Sequence, residues 1–199
     1  MKIFCIGFQK TGTTTLAQVF RSGGFKVTGP NGIYDPQIAQ NVGDLVDRLV
    51  GRYDVFQDNP WPLFYKEMAE SFPEAYFIHS HRDTEAWISS VVKHFGGSDR
   101  PMLRMIYGVG DPRGNEGQFV ETYERHNAAV SEFFSKGDFN YMSLDVSREE
   151  NADRLKRFVG LPSDGTKFPH VNVASDRSPR EDARRRRVYG RIRAAWVER

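Results

Sequence analysis

Residues 2–16 read Lys2-Ile3-Phe4-Cys5-Ile6-Gly7-Phe8-Gln9-Lys10-Thr11-Gly12-Thr13-Thr14-Thr15-Leu16. Ile3 to Ile6 is an unbroken apolar run, which predicts a short strand over 2–8 covered on both faces, as a central parallel strand is. Gln9 to Thr13 is a polar turn containing a glycine. Leu16, Val19 and Phe20 then recur at helical spacing until Gly23-Gly24 stops the helix. A strand, a glycine loop and a helix N-terminus in that order make an anion site. Unpaired backbone N–H groups converge there, and the helix dipole favours negative charge.

Working outward, the pattern repeats. Short strands are predicted at 25–27, 54–57, 75–78 and 139–144. Helical spacing of apolar residues marks 38–49, 63–71, 84–95, 116–134 and 151–159. Residues 96–117 hold six glycines and two prolines and read as a long excursion with one helical turn near 102–107. Residues 163–178 are loop-like, and a basic helix is expected over 180–197. Strands alternating with helices predict a single domain over 1–199: a three-layer α/β/α protein with a mostly parallel central sheet.

Composition narrows the function classes. Of 199 residues, 39% are hydrophobic and 27% charged, which suits one globular domain and excludes a disordered chain. No apolar run approaches the roughly 18 residues of a membrane span. The apolar start is too short for a secretory leader, so a cytoplasmic location is expected. Cys5 is the only cysteine, which excludes an internal disulfide. The five histidines show no ligand spacing, and no metal site is predicted. The net charge of +2 is uneven: nine arginines face four acids from Asp176 onward, while the first 175 residues carry 19 basic and 22 acidic side chains.

The position of the lysine in the first loop decides its chemistry. Gly7 and Gly12 have the spacing of a Walker A loop, but Thr13 stands where a nucleoside triphosphatase needs lysine. A lysine after the loop reaches β- and γ-phosphates beside magnesium. Lys10, inside the loop, would instead neutralise charge on a shorter departing phosphate without a metal. Thr13, Thr14 and Thr15 add hydroxyl donors. The plain alternative is a hydroxyl-rich helix cap with an incidental lysine.

The stretch Phe8 to Leu16 resembles the 5′-phosphosulfate loop of sulfotransferases that use 3′-phosphoadenosine 5′-phosphosulfate (PAPS), short bacterial-type members included. The Lys10-Thr11-Gly12-Thr13-Thr14 core is intact, while Gln9 stands where many members have another residue. The resemblance implies that Lys10 contacts the bridging oxygen and that Gln9 to Thr15 line the 5′-phosphate site. It also implies a P-loop fold and release of 3′-phosphoadenosine 5′-phosphate (PAP), with no metal.

A second pair supports it. Arg82 at a strand end and Ser90 in the next helix match the family's 3′-phosphate pair. Eight residues is a little over two helical turns, so both reach one face. Arg82 paired with Asp83 is the alternative.

In-line transfer needs a base opposite the leaving phosphate. Asp58 is the candidate at the end of its strand, with a turn-forming aspartate as its plain reading. His81 and His79 are the alternatives. Trp61, Phe64, Trp87, Phe95 and Tyr107 read as core side chains or as walls of an acceptor crevice. In the long helix, Glu124, Arg125 and His126 read as a solvated face or as cleft residues. Arg177, Arg180 and Arg184 to Arg187 read as a solvated helix or as extra nucleotide contacts. The tail lacks the interleaved aromatics of a nucleic-acid platform, so no nucleic-acid partner is expected.

The expected acceptor is a small molecule, glycan or lipid bearing a hydroxyl or amine. Its site is either open or completed by a second subunit of a homodimer. The competing classes are a P-loop nucleotide or small-molecule kinase, disfavoured by Thr13, and a non-catalytic nucleotide-binding interaction domain.

Overall fold

The computed structural model describes residues 1–163, 165 and 167–169. The basic helix over 180–197 and the tail arginines lie outside these residues. The chain runs β1 (Ile3–Cys5), α1 (Thr13–Ser22), β2 (Val27–Thr28), α2 (Ile38–Val50), β3 (Val55–Phe56), a 3₁₀ turn (Trp61–Phe64), α3 (Tyr65–Ser71), β4 (Tyr76–Ser80), α4 (Thr84–Phe95), α5 (Pro101–Tyr107), α6 (Glu116–Phe134), β5 (Asn140–Leu144) and α7 (Asn151–Phe158).

The five strands form one sheet in the order β2-β3-β1-β4-β5, and every pairing is parallel. Ile3 lies opposite Val55 on one side and Tyr76 on the other, so β1 is central, as its unbroken apolar run requires. Alternate residues feed two cores. Phe4, Phe56 and Phe77 pack with Val46 of α2, Tyr65 and Met68 of α3, and Val130 and Phe134 of α6. Ile3, Cys5, Val55 and Ile78 pack on the opposite face with Leu16 and Phe20 of α1 and Leu155 of α7. Helices therefore cover both faces, and the fold is a three-layer α/β/α arrangement of P-loop type. Phe4 stacks between Phe56 and Phe77, and removing its ring would cost about 3–5 kcal/mol.

The structure departs from the predicted boundaries in ways that have causes. β1 pairs only over Ile3–Cys5, because the chain bends into the loop beyond Ile6. β4 extends to Ser80, where it pairs with Leu144 of the edge strand. In the excursion after α4, the single expected turn is a full helix, α5. Pro101 starts it and Gly108, at φ 78°, ends it.

A third core, Phe8, Trp87, Ile88, Val91, Leu103, Tyr107, Phe119 and Tyr123, joins α4, α5 and α6 to the first loop. Because all strands run in one direction, the loops after β1, β3, β4 and β5 meet along one edge. The chain crosses over β1 between β3 and β4, and such a reversal leaves a crevice at the strand ends.

Candidate active site

Gly7 to Gly12 leave the central strand and turn into α1. Gly12 is the N-cap residue, at φ 94°, and no side chain caps the helix. No acidic residue lies in the first turn, which leaves its N–H groups without a carboxylate from the helix itself. A Cβ at Gly12 would collide with Val146, which follows β5 and covers the loop. Glycine is thus required twice over at this position, by backbone angle and by space.

The loop is held by buried polar side chains. Gln9 and Thr11 are about 2% and 1% exposed. Thr11 Oγ1 donates to the Phe8 carbonyl at 2.6 Å and lies 2.7 Å from Ser80 Oγ at the end of β4. Gln9 donates from Nε2 to the Tyr107 hydroxyl at 2.8 Å, and its Oε1 accepts from Asn59 Nδ2 at 2.9 Å. Trp87 Nε1 donates to the Gln9 carbonyl at 2.9 Å. The Gln9 and Thr11 side chains are engaged inward, leaving half-buried Lys10 and Thr15 and exposed Thr14 as the outward members.

On the β3 side, Thr13 Oγ1 donates to Asp58 Oδ2 at 2.8 Å and the Asn59 N–H donates to Asp58 Oδ1 at 2.8 Å. Burial pushes the Asp58 carboxyl above its ordinary range, against those two hydrogen bonds and the nearby Lys10 ammonium. The side chain keeps part of its surface open, so it is half-buried rather than sealed. The flanking amide oxygens, Gln57 Oε1 and Asn59 Oδ1, are buried without a hydrogen-bond partner among the described residues.

On the β4 side, Arg82 is fixed at its backbone. Its N–H donates to the Tyr123 hydroxyl at 3.1 Å, and that hydroxyl donates to the Arg82 carbonyl at 3.0 Å. The Arg82 guanidinium reaches the Lys10 carbonyl at 3.5 Å. Asp83 accepts from the Ala86 N–H as the cap of α4, so it serves the helix rather than pairing with Arg82. Ser90 is half-buried on α4, one turn beyond Trp87.

His79 in β4 and His81 just after it differ sharply. His79 is buried, with Nε2 2.9 Å from Asn127 Oδ1 and Nδ1 3.0 Å from the Tyr141 hydroxyl. Nε2 must carry the proton and Nδ1 must accept, so neither nitrogen is left for a substrate. Burial pushes its pKa down to about 4. His81 is half-buried beside Asp145, whose carboxyl sits below its ordinary range. There, desolvation is outweighed by the Ser147 hydrogen bonds and by the charges of His81 and Arg148.

Trp61, Trp87 and Tyr107 are buried and belong to the core, while Phe64 and Phe95 are partly buried against it. Glu124 and Arg125 are exposed. His126 turns inward: Nε2 donates to the Ile6 carbonyl at 2.9 Å and the ring lies 4.2 Å from that of Phe8. Burial pushes its pKa down to about 4. The ties from Tyr123 to Arg82, from Gln9 to Tyr107 and from Val146 to Gly12 carry no signal in the sequence, because each joins residues far apart in the chain.

Among the described residues no group of three or more histidine, cysteine, aspartate or glutamate side chains is arranged to hold a metal ion. No helix among them is long and apolar enough to cross a membrane.

A sulfotransferase-domain family model matches residues 2–113, more than half the chain and all of β1 to β4. The chain belongs to that sulfotransferase family. No curated protein matches it well enough to be counted a relative.

Proposed function

We propose that the protein transfers a sulfuryl group from PAPS to a hydroxyl or amine of a small-molecule, glycan or lipid acceptor, releasing PAP. The observation that carries this reading is the order of groups along the crevice. Lys10 lies on the central loop, Arg82 on the β4 side and Asp58 on the β3 side.

On this reading, the N-terminus of α1 with the Thr13 to Thr15 segment holds the 5′-phosphate, and Arg82 and Ser90 hold the 3′-phosphate. The nucleotide then lies toward β4 and the acceptor toward β3. That places Asp58 opposite the leaving group, whereas His81 falls on the nucleotide side and His79 has no nitrogen to spare. The acceptor oxygen or nitrogen attacks sulfur as the bond to the bridging phosphate oxygen breaks. Asp58 takes the acceptor proton, and the Lys10 ammonium offsets the charge gathering on the departing phosphate. Burial that raises the Asp58 carboxyl makes it a better base than an exposed aspartate.

Isothermal calorimetry tests the donor site: PAP binds with magnesium absent. A sulfur-35 transfer screen from labelled PAPS into cell extracts then identifies the acceptor class. The contact of Asp58 with the Thr13 hydroxyl also suits a magnesium-assisted kinase. Binding of magnesium-ATP with no heat from PAP would select that reading instead. PAP binding without transfer to any acceptor would select the non-catalytic one.

A further inference from the structure

Lys10 and Asp58 are the only non-glycine residues with positive φ among those described, at 69° and 62°. A left-handed backbone is unfavourable for a residue with a Cβ, less so for aspartate than for lysine, so both turns lean on their surroundings. The holding groups are their chain neighbours. Gln9 precedes Lys10 and Asn59 follows Asp58, and the Gln9 and Asn59 carboxamides hydrogen-bond to each other at 2.9 Å. Both side chains are more than nine-tenths buried. The second end of the Gln9 amide is fixed by Tyr107, whose ring is itself stacked on Phe119 at 4.0 Å. Its backbone carbonyl is fixed by the Trp87 indole.

We propose that Gln9 is a positioning residue, a clamp that joins the Lys10 turn to the Asp58 turn and sets the separation of these two side chains. It acts through its neighbours and does not touch the nucleotide. The sequence pointed to a phosphate contact for Gln9; the inward direction of its carboxamide reassigns it. Deletion of the amide leaves each turn free to relax toward ordinary backbone angles, and Lys10 and Asp58 drift apart. This inference deepens the proposed function, resting on Lys10 and Asp58 as its reacting pair.

The separation is read in the nucleotide-free protein, by carbon-13 NMR of the Asp58 carboxyl. In the otherwise native chain, Lys10→Met raises the Asp58 midpoint, as loss of a neighbouring opposite charge does. In a Gln9→Met background, the same Lys10→Met change raises it by less than half as much. Tyr107→Phe keeps the ring packing and removes only the far anchor of the amide. In that background the Lys10 effect is intermediate, which decides the matter if Gln9→Met does not fold. An equal Lys10 effect in every folded background, or no Lys10 effect in the native chain, overturns the clamp. A structural contribution to stability alone would lower the melting temperature without changing this coupling. Failure of the native protein to bind PAP would overturn the proposed function and leave the clamp result standing.

Discussion

The ends of β3 and β4 flank the same loop and carry opposite chemistry. After β3 come Gln57, Asp58 and Asn59: two neutral amides around one carboxyl, with Lys10 the cation that offsets it among the described residues. At the end of β4 come His79, His81 and Arg82, with Tyr123 holding the arginine backbone. The difference gives the crevice a direction. On the proposed reading, a bisphosphate nucleotide takes the β4 side, where cations favour an anion, and the proton-giving acceptor takes the β3 side.

The largest effects should come from groups at the reacting centre. Lys10→Ala lowers sulfuryl transfer by roughly 100-fold or more, measured as labelled product per minute. Asp58→Asn does the same through loss of the proton acceptor, yet leaves PAP affinity unchanged in calorimetry. A large loss of PAP affinity in Asp58→Asn would erase the distinction between the two sides.

Arg82→Met weakens PAP by roughly 10- to 100-fold, the range for a charged hydrogen-bond partner, and spares adenosine 5′-phosphate, which lacks the 3′ group. Equal weakening of both nucleotides would place Arg82 elsewhere.

The β4 side also has an acid limit of its own. Folded His79 takes its proton near pH 4, whereas in the unfolded chain it does so near 6.5. Between those values the unfolded chain binds the extra proton. His79 therefore costs no stability above about pH 6.5, and stability falls as pH drops toward 4, by about 1 kcal/mol per pH unit around pH 5. Urea titrations from pH 7 to 4.5 should show that slope reduced in His79→Gln. The smallest effect is Ser90→Ala, about fivefold on PAP affinity for one hydroxyl donor.

Much of the scaffold was legible because it rests on local pattern. The apolar run of β1, the glycines that end α1 and the spacing of Trp87, Ile88 and Val91 each announce their element. The loop between β1 and α1 was legible for the same reason, since its residues are contiguous. What was not legible depends on contacts across the fold. His79 and His81 share a strand face and look equivalent in sequence, but α6 and β5 bring Asn127 and Tyr141 to one and leave the other half-open. Gln9 reads as one more polar loop residue until Asn59, 50 positions away, meets it. Tyr107 reads as core or crevice wall until α5 folds it onto Phe119 and settles it in the core.

The indole of Trp87 bolts the helix bearing Ser90 to the carbonyl beside Lys10. On the proposed reading, the two phosphate contacts of the donor are thereby mounted on one rigid part, and their spacing works as a gauge. A donor whose second phosphate is moved from the 3′ to the 2′ hydroxyl would match one end of that gauge and miss the other. Selection between the two isomers would then be set by an indole that never meets the nucleotide.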